Sequence, residues 1–234
     1  MEDENKRMNI DVVSTFLNFP LFEKLHRSIT YVVLMFVFIG LPYILLNSFA
    51  HNLWTSPIQP MLEVDQQIPF ISVSILAYMT LYIYYPIFAF LLSKEKFREK
   101  GSMIMNNFLL LTWFCFAFFF FFPTEISLRP NNIEGPFRDL YEVLYALDEN
   151  YNAFPSLHVA HSLFILLASI WLYSTNEENQ SAILLIMLTL LWVLLFISTL
   201  TTKQHYVFDA VSGAIVGYIF WLRCRKKLIS LEIN

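Results

Sequence analysis

Two short clusters in the second half of the chain hold the residue types best suited to chemistry. Pro155-Ser156-Leu157-His158 opens one apolar stretch, and Lys203-Gln204-His205-Tyr206-Val207-Phe208-Asp209 opens another. Each sets ionisable groups at the mouth of a segment that reads as membrane-embedded, where such groups are costly and function is the default reading. His205 and Asp209 are four residues apart. On a helix that began at His205 their side chains would share a face. The carboxylate would then hold one imidazole nitrogen, fix the tautomer and raise the ring's basicity. The free nitrogen of such a histidine can attack phosphorus and form a phospho-histidine. A plainer reading carries equal weight: a histidine at a helix start, satisfied by a nearby carboxylate.

His158 follows Pro155 and Ser156, an ordinary helix opening with a serine cap and a proline beside the first turn. That opening explains the proline and the serine but not the histidine. The free N–H groups of the helix start suit a phosphate oxygen, and His158 suits proton donation to a departing alkoxide. Arg129, in Ser127-Leu128-Arg129-Pro130, carries a planar fork that fits phosphate bidentately. Lys203 adds a point charge next to His205. Together these cations would stabilise charge on a transferring phosphoryl group. His161, one turn further along than His158, reads as a buried, hydrogen-bonded histidine. The histidines lack the carboxylate cluster of a hydrolytic metal centre, so no metal and no cofactor is expected. Of the two cysteines, Cys115 falls mid-span and Cys224 in a basic tail, so they are not expected to meet in a disulfide and read as free thiols.

These residues need a membrane frame to position them. The 234-residue chain is 57% hydrophobic and only 15% charged, against roughly 25% charged in a soluble domain. Its mean hydropathy is +0.54. A helix needs about 20 mostly apolar residues to cross a bilayer, and six stretches qualify: 30–50, 69–92, 102–122, 156–174, 182–202 and 205–222. The expected fold is therefore all-α, a six-span transmembrane helical bundle forming one domain over residues 1–234. The polar start, Met1 to Arg7, is no cleavable signal, and the segment before span one, 1–29, includes an apolar-basic stretch from Val12 to Arg27 suited to the membrane surface. Between spans three and four, Pro136 to Asp148 places Leu140, Val143, Leu144 and Leu147 at helical spacing, which predicts a short outer-surface helix.

Basic residues set the expected orientation. Lys6, Arg7, Lys24 and Arg27 precede span one, Lys94, Lys96, Arg98 and Lys100 join spans two and three, and Arg223, Arg225, Lys226 and Lys227 open a tail at 223–234. Six crossings put all three groups on one side, which is cytoplasmic by the positive-inside rule, with both termini there. Arg129, Arg138 and Lys203 fall on the other side, so the site would face the cell exterior, a periplasm or a lumen. An Asn179-Gln180-Ser181 sequon falls in a loop assigned to the cytoplasm.

Taken in order, the clusters resemble the three signatures of the type 2 phosphatidic acid phosphatase superfamily: Lys-x6-Arg-Pro, Pro-Ser-Gly-His and Ser-Arg-x5-His-x3-Asp. Arg129-Pro130 matches the end of the first, Pro155, Ser156 and His158 match the second, and Ser198, His205 and Asp209 match the third. The resemblance implies His205 as nucleophile with Asp209 as its partner, His158 as proton donor to the leaving group, Arg129 and the Ser156 region as phosphate holders, and no metal. Three positions depart: Phe122 stands for the first Lys, Leu157 for the Gly, and Thr199 for the Arg. Lys203 is the residue that would restore a lost charge. The Pro-Ser-Leu-His form is similar to the branch containing inositol phosphorylceramide synthases, which includes phosphotransferases.

The leading expectation is thus a lipid-phosphate phosphatase at the extracytoplasmic face, partnered by the bilayer and its lipid substrate. The alternative is a lipid phosphotransferase on the same scaffold, and a third is a non-catalytic transporter or scaffold. Nothing points to nucleic acid, and neither the lipid nor the oligomeric state follows from the residues.

Overall fold

The structure, a computed structural model, describes residues 12–19, 22, 25–53, 57–174 and 182–233. Lys6, Arg7, Lys24 and the Asn179-Gln180-Ser181 sequon lie outside them. The described residues form an all-α bundle: α1 (Val12–Leu17), α2 (Arg27–Met35), α3 (Leu41–Leu53), α4 (Glu63–Gln67), α5 (Ile75–Leu92), α6 (Arg98–Phe121), α7 (Arg138–Leu147), α8 (Leu157–Ser174), α9 (Ala182–Thr201) and α10 (Val207–Ile233). A π-helical turn, Phe36–Gly40, joins α2 to α3. Pro42 has no N–H and crowds the carbonyl four residues back, so the widened turn before it relieves a conflict that a regular helix would keep.

Among the described residues, five helical stretches are long and apolar enough to cross a bilayer: Arg27–Ala50, Ser72–Leu92, Glu95–Phe121, Leu157–Ser174 and Val207–Leu231. The α9 helix carries a shorter apolar run, Leu185–Thr201. Large apolar side chains line the outside, including Phe121 at 70% and Ile183 at 72% exposure. Polar ones such as Thr112, His161 and Ser162 are wholly buried. Water would punish that distribution and lipid does not. The molecule is a multi-pass membrane protein.

Helix α8 is the axis of the bundle, packed by α5, α6, α9 and α10. Two features fix it. On α10, Gly213 and Gly217 lie one turn apart and abut the α8 backbone at Ser156 and Ala160. On the other flank the His161 ring joins Tyr85 Oη of α5 (2.8 Å) and Thr112 Oγ1 of α6 (2.9 Å). His161 is therefore the three-helix staple expected of a buried histidine.

Two elements differ from expectation. Helix α10 starts at Val207, two residues past His205, and continues to Ile233. The basic stretch after 222 is thus helical, and Cys224 and Leu228 are buried in the bundle. Helix α7 forms as predicted, but Leu144 alone of its stripe of three leucines and one valine is buried, together with Tyr141. Both pack on Ile75 and Tyr78 of α5. Leu140, Val143 and Leu147 face outward.

Candidate active site

The polar clusters meet at one end of the bundle because short backbone pairings tie the loops there. Ile126 N–H donates to Asn150 O (2.8 Å) and Asn152 N–H to Thr124 O (3.0 Å), while Thr124 Oγ1 accepts from the Ala153 and Phe154 amides (2.9 Å each). This clip sets Arg129 beside the 148–153 segment. The α8 start is bonded directly to that of α10, Ser156 N–H donating to Asp209 O (3.0 Å). Between α9 and α10 the chain reverses through Lys203, whose φ is +57°, a left-handed conformation uncommon for a long side chain. Gln204 and His205 both donate their amides to Thr199 O at 3.1 Å.

The two imidazoles come together: His205 Nε2 is 3.3 Å from His158 Nδ1. Each histidine is 8% exposed. Arg129 Nη1 donates to Asp148 O (2.7 Å), and Nη2 donates to Glu149 O (3.0 Å) and to Gln204 Oε1 (2.5 Å). Its guanidinium carbon lies 4.9 Å from the Tyr145 ring centre. Arg129 Nε and Gln204 Nε2 are buried donors with no partner. Both residues line, with the two histidines, a cavity of about 10 Å³, room for about one water. Buried donors are nearly always satisfied, so two unpartnered donors on residues that line one small pocket suit acceptor oxygens there.

Asp209 holds a different station from the one its spacing suggested. Its Oδ2 accepts from Tyr206 N–H (2.9 Å), capping α10, and stands 4.0 Å from His205 Nδ1, beyond hydrogen-bond reach. The pair is adjacent but not bonded, because His205 lies before the helix rather than on it. Ser156 caps α8, its Oγ accepting from Val159 N–H at 3.3 Å. It is completely buried.

Lys203 requires a correction. Its ammonium does not face the cavity; it donates to Asp65 O (2.8 Å) and Ile68 O (2.5 Å). The left-handed turn swings the side chain toward α4, where Asp65 Oδ1 also accepts from Val207 N–H (2.7 Å). Burial lowers the Lys203 pKa from the usual lysine range, with the Asp65 charge opposing. Lys203 is a clamp on the His205 loop and does not replace the missing motif charge. Replacing it with Met, which keeps the stem, should therefore cost about 1.5–3 kcal/mol of stability in detergent melts while leaving substrate KM little changed. A raised KM at unchanged stability would return Lys203 to phosphate binding.

The other departures are also placed. Phe122 stacks on Phe118 at 5.5 Å, away from the cavity, and Thr199 turns its hydroxyl onto Phe196 O (2.8 Å). Arg129 is then the one cation lining the cavity among the described residues. Three polar groups at the site carry no motif signal: Tyr43, Tyr78 and Asp148. Tyr78 Oη donates to Asp148 Oδ2 (3.0 Å) and lies 2.8 Å from His158 Nε2 and 3.3 Å from its Nδ1. Tyr43 Oη donates to Asp148 Oδ1. A carboxylate at the end of a surface helix looks solvated in sequence, and only folding buries it.

Burial, the neighbouring His158 and the Arg129 charge hold the His205 pKa well below its ordinary value, against the Ala153 carbonyl. The free protein therefore keeps His205 neutral, with its lone pair available. Activity that needs neutral His205 falls only as pH drops through this lowered value, so the acid limb of kcat/KM should lie below about 6.5. An acid limb above the ordinary histidine value would contradict this.

Among the described residues no group of three His, Cys, Asp or Glu side chains is gathered as a metal site. The chain matches the PAP2 superfamily over residues 44–222, and it belongs to that superfamily. Members are phosphatases or related phosphotransferases, so this is an enzyme family with lipid-related phosphoryl chemistry. Comparison with curated proteins and with solved structures gives no match.

Proposed function

We propose that this chain is a lipid-phosphate phosphatase working without a metal through a phospho-histidine on His205. The observation that carries the reading is the approach of His205 Nε2 to His158 Nδ1 (3.3 Å) beside the unpartnered donors of Arg129 and Gln204. A phosphoryl group seated there would meet a neutral imidazole, a proton donor and a guanidinium together. In the first step a bond forms from His205 Nε2 to phosphorus, the ester P–O bond breaks, and His158 gives its proton to the departing oxygen. Water then attacks the phospho-histidine, His158 accepts its proton, and phosphate leaves. Asp209 orients the His205 loop and supplies negative charge next to the imidazole as it becomes cationic. Because the cavity holds about one water, admitting a phosphate requires the 148–153 segment to yield. With six crossings, counting α9, the site lies at the extracytoplasmic face, where a lipid can present its phosphate with its chains still in the bilayer.

One observation favours the phosphotransferase alternative. Among the described residues a single cation lines the cavity, which suits a singly charged phosphodiester better than a dianion, as in the branch suggested by Pro155-Ser156-Leu157-His158. The deciding experiment incubates purified protein with labelled lipid phosphates, with and without acceptor lipid alcohols, and quenches during turnover. Alkali-stable, acid-labile label on His205 with free phosphate supports hydrolysis, and net transfer with little phosphate supports the alternative. A chain that labels with no substrate, and whose cellular role survives loss of both His158 and His205, would be the non-catalytic scaffold.

A further inference from the structure

The proton-donating side of the site holds more than its motif histidine. Tyr78, on α5, and Asp148, at the end of α7, stand behind His158 on the side away from His205. Tyr78 is fully buried and Asp148 is 6% exposed. The hydroxyl of Tyr78 has one proton, and it is given to Asp148 Oδ2 at 3.0 Å. The Tyr78 oxygen lies against the His158 ring, 2.8 Å from Nε2 and 3.3 Å from Nδ1, and holds the carboxylate on the Nε2 side of the imidazole. The second carboxylate oxygen accepts from Tyr43, and Arg129 donates to the carbonyl of Asp148 at 2.7 Å. Asp148 is thus held by groups from three elements, with its nearer oxygen 4.0 Å from His158 Nε2.

We infer that Asp148 is the positioning carboxylate of His158, held beside the imidazole by Tyr78, and that the donor half of the site is a His158–Tyr78–Asp148 cluster. The inference rests on the phosphatase reading above. Nδ1 is the atom facing His205 and the cavity, and Nε2 the atom facing Asp148. In the imidazolium form both carry protons, and the Nδ1 proton is the one on the side where the leaving oxygen departs. Asp148 offsets the imidazolium charge in a buried setting where the neighbouring Arg129 opposes it. In the transfer step the Nδ1 proton passes to the ester oxygen as the P–O bond breaks. His158 is left neutral with its remaining proton on Nε2, the nitrogen on the Asp148 side. The arrangement gives the two histidines separate supports: His205 is set by the α10 cap, and His158 by α5 and α7.

The test uses two substrates that differ in one atom, a long-chain alkyl phosphate and its S-alkyl phosphorothiolate, whose thiolate leaves without a proton. Rates of His205 phosphorylation are measured in single turnovers of the full chain in lipid nanodiscs. Asp148→Asn should slow the oxygen ester about 10²-fold, within the range of general-acid effects, while slowing the thiolate ester less than about threefold. Tyr78→Phe should show the same selectivity at about tenfold, and Asp148→Glu should recover part of the rate on the oxygen ester. Equal losses on both substrates, or none on either, overturn the inference while leaving the phosphatase reading intact. A wild-type chain that never labels His205 with either substrate overturns the phosphatase reading, and this inference with it.

Discussion

Alanine at His205 is expected to lower phosphoryl transfer from a lipid phosphate by about 10⁴-fold or more, while the protein remains folded. The size follows from the role. Without the imidazole no bond forms to phosphorus, and groups that act as a unit show their whole effect when one is removed. Alanine at His158 should cost less, about 10²–10⁴-fold, the range of a general acid. The double variant should be little worse than His205→Ala alone, since a proton donor has nothing to assist once the nucleophile is gone. The fold should tolerate both changes. Each histidine is buried, yet His205 lies in a loop and His158 meets another helix only at its outer end, through Tyr78, whereas His161 ties two helices to α8 through Tyr85 and Thr112. The measurement is labelled phosphate release from detergent-solubilised protein, with a melting curve for each variant. Unchanged turnover in His205→Ala would falsify the mechanism. Collapse of the melting transition would show that His205 holds the loop instead.

Leucine at Gly213 should do comparable damage by an unrelated route. A Cβ built there falls 2.4 Å from the Ser156 carbonyl and 3.1 Å from Ser156 Cβ. The carbonyl is backbone at the start of α8 and cannot rotate aside, so α10 must move away from α8. Overpacking of this kind costs about 1–3 kcal/mol or more, and small residues spaced by four are what allow two membrane helices to touch. The same contact sets the distance between His158, two residues into α8, and His205, just before α10. A shift of about 1 Å is worth about 10²-fold in rate, so activity should fall further than the lost stability explains. Gly217→Ala offers the comparison. Its Cβ would meet Ala160 O at 2.6 Å, one turn deeper, and should cost stability with a smaller loss of rate. Equal activity losses from the two would show that the crossing does not set the histidine geometry.

The frame was open to reading from residues alone because its causes are local. A run such as Phe118 to Phe122 has no home in water, and a bilayer fixes the length of a span. The same holds for the helix starts at Pro155-Ser156 and for the reversal at Lys203-Gln204. The pairing of His158 with His205 came from matching three weak signatures in order, which is how Arg129, far away in sequence, was joined to them. The placement of Lys203 departs from its sequence expectation for a reason of geometry. Sequence places it next to His205, but its left-handed turn sends the ammonium to the carbonyls of Asp65 and Ile68.

What sequence determined by itself was the solvent and the helices, carried by composition and short spacing, and, through three signatures taken in order, the two imidazoles and the guanidinium as candidates. Tertiary structure alone decided which polar groups support them. Asp148 reaches Tyr43 and Tyr78 across 105 and 70 residues, and Asp65 reaches Val207 across 142. No periodicity records such contacts. They arise where the α8–α10 contact and the loop clip bring distant carboxylates out of water, and a buried carboxylate must then take whatever donors the neighbouring helices present.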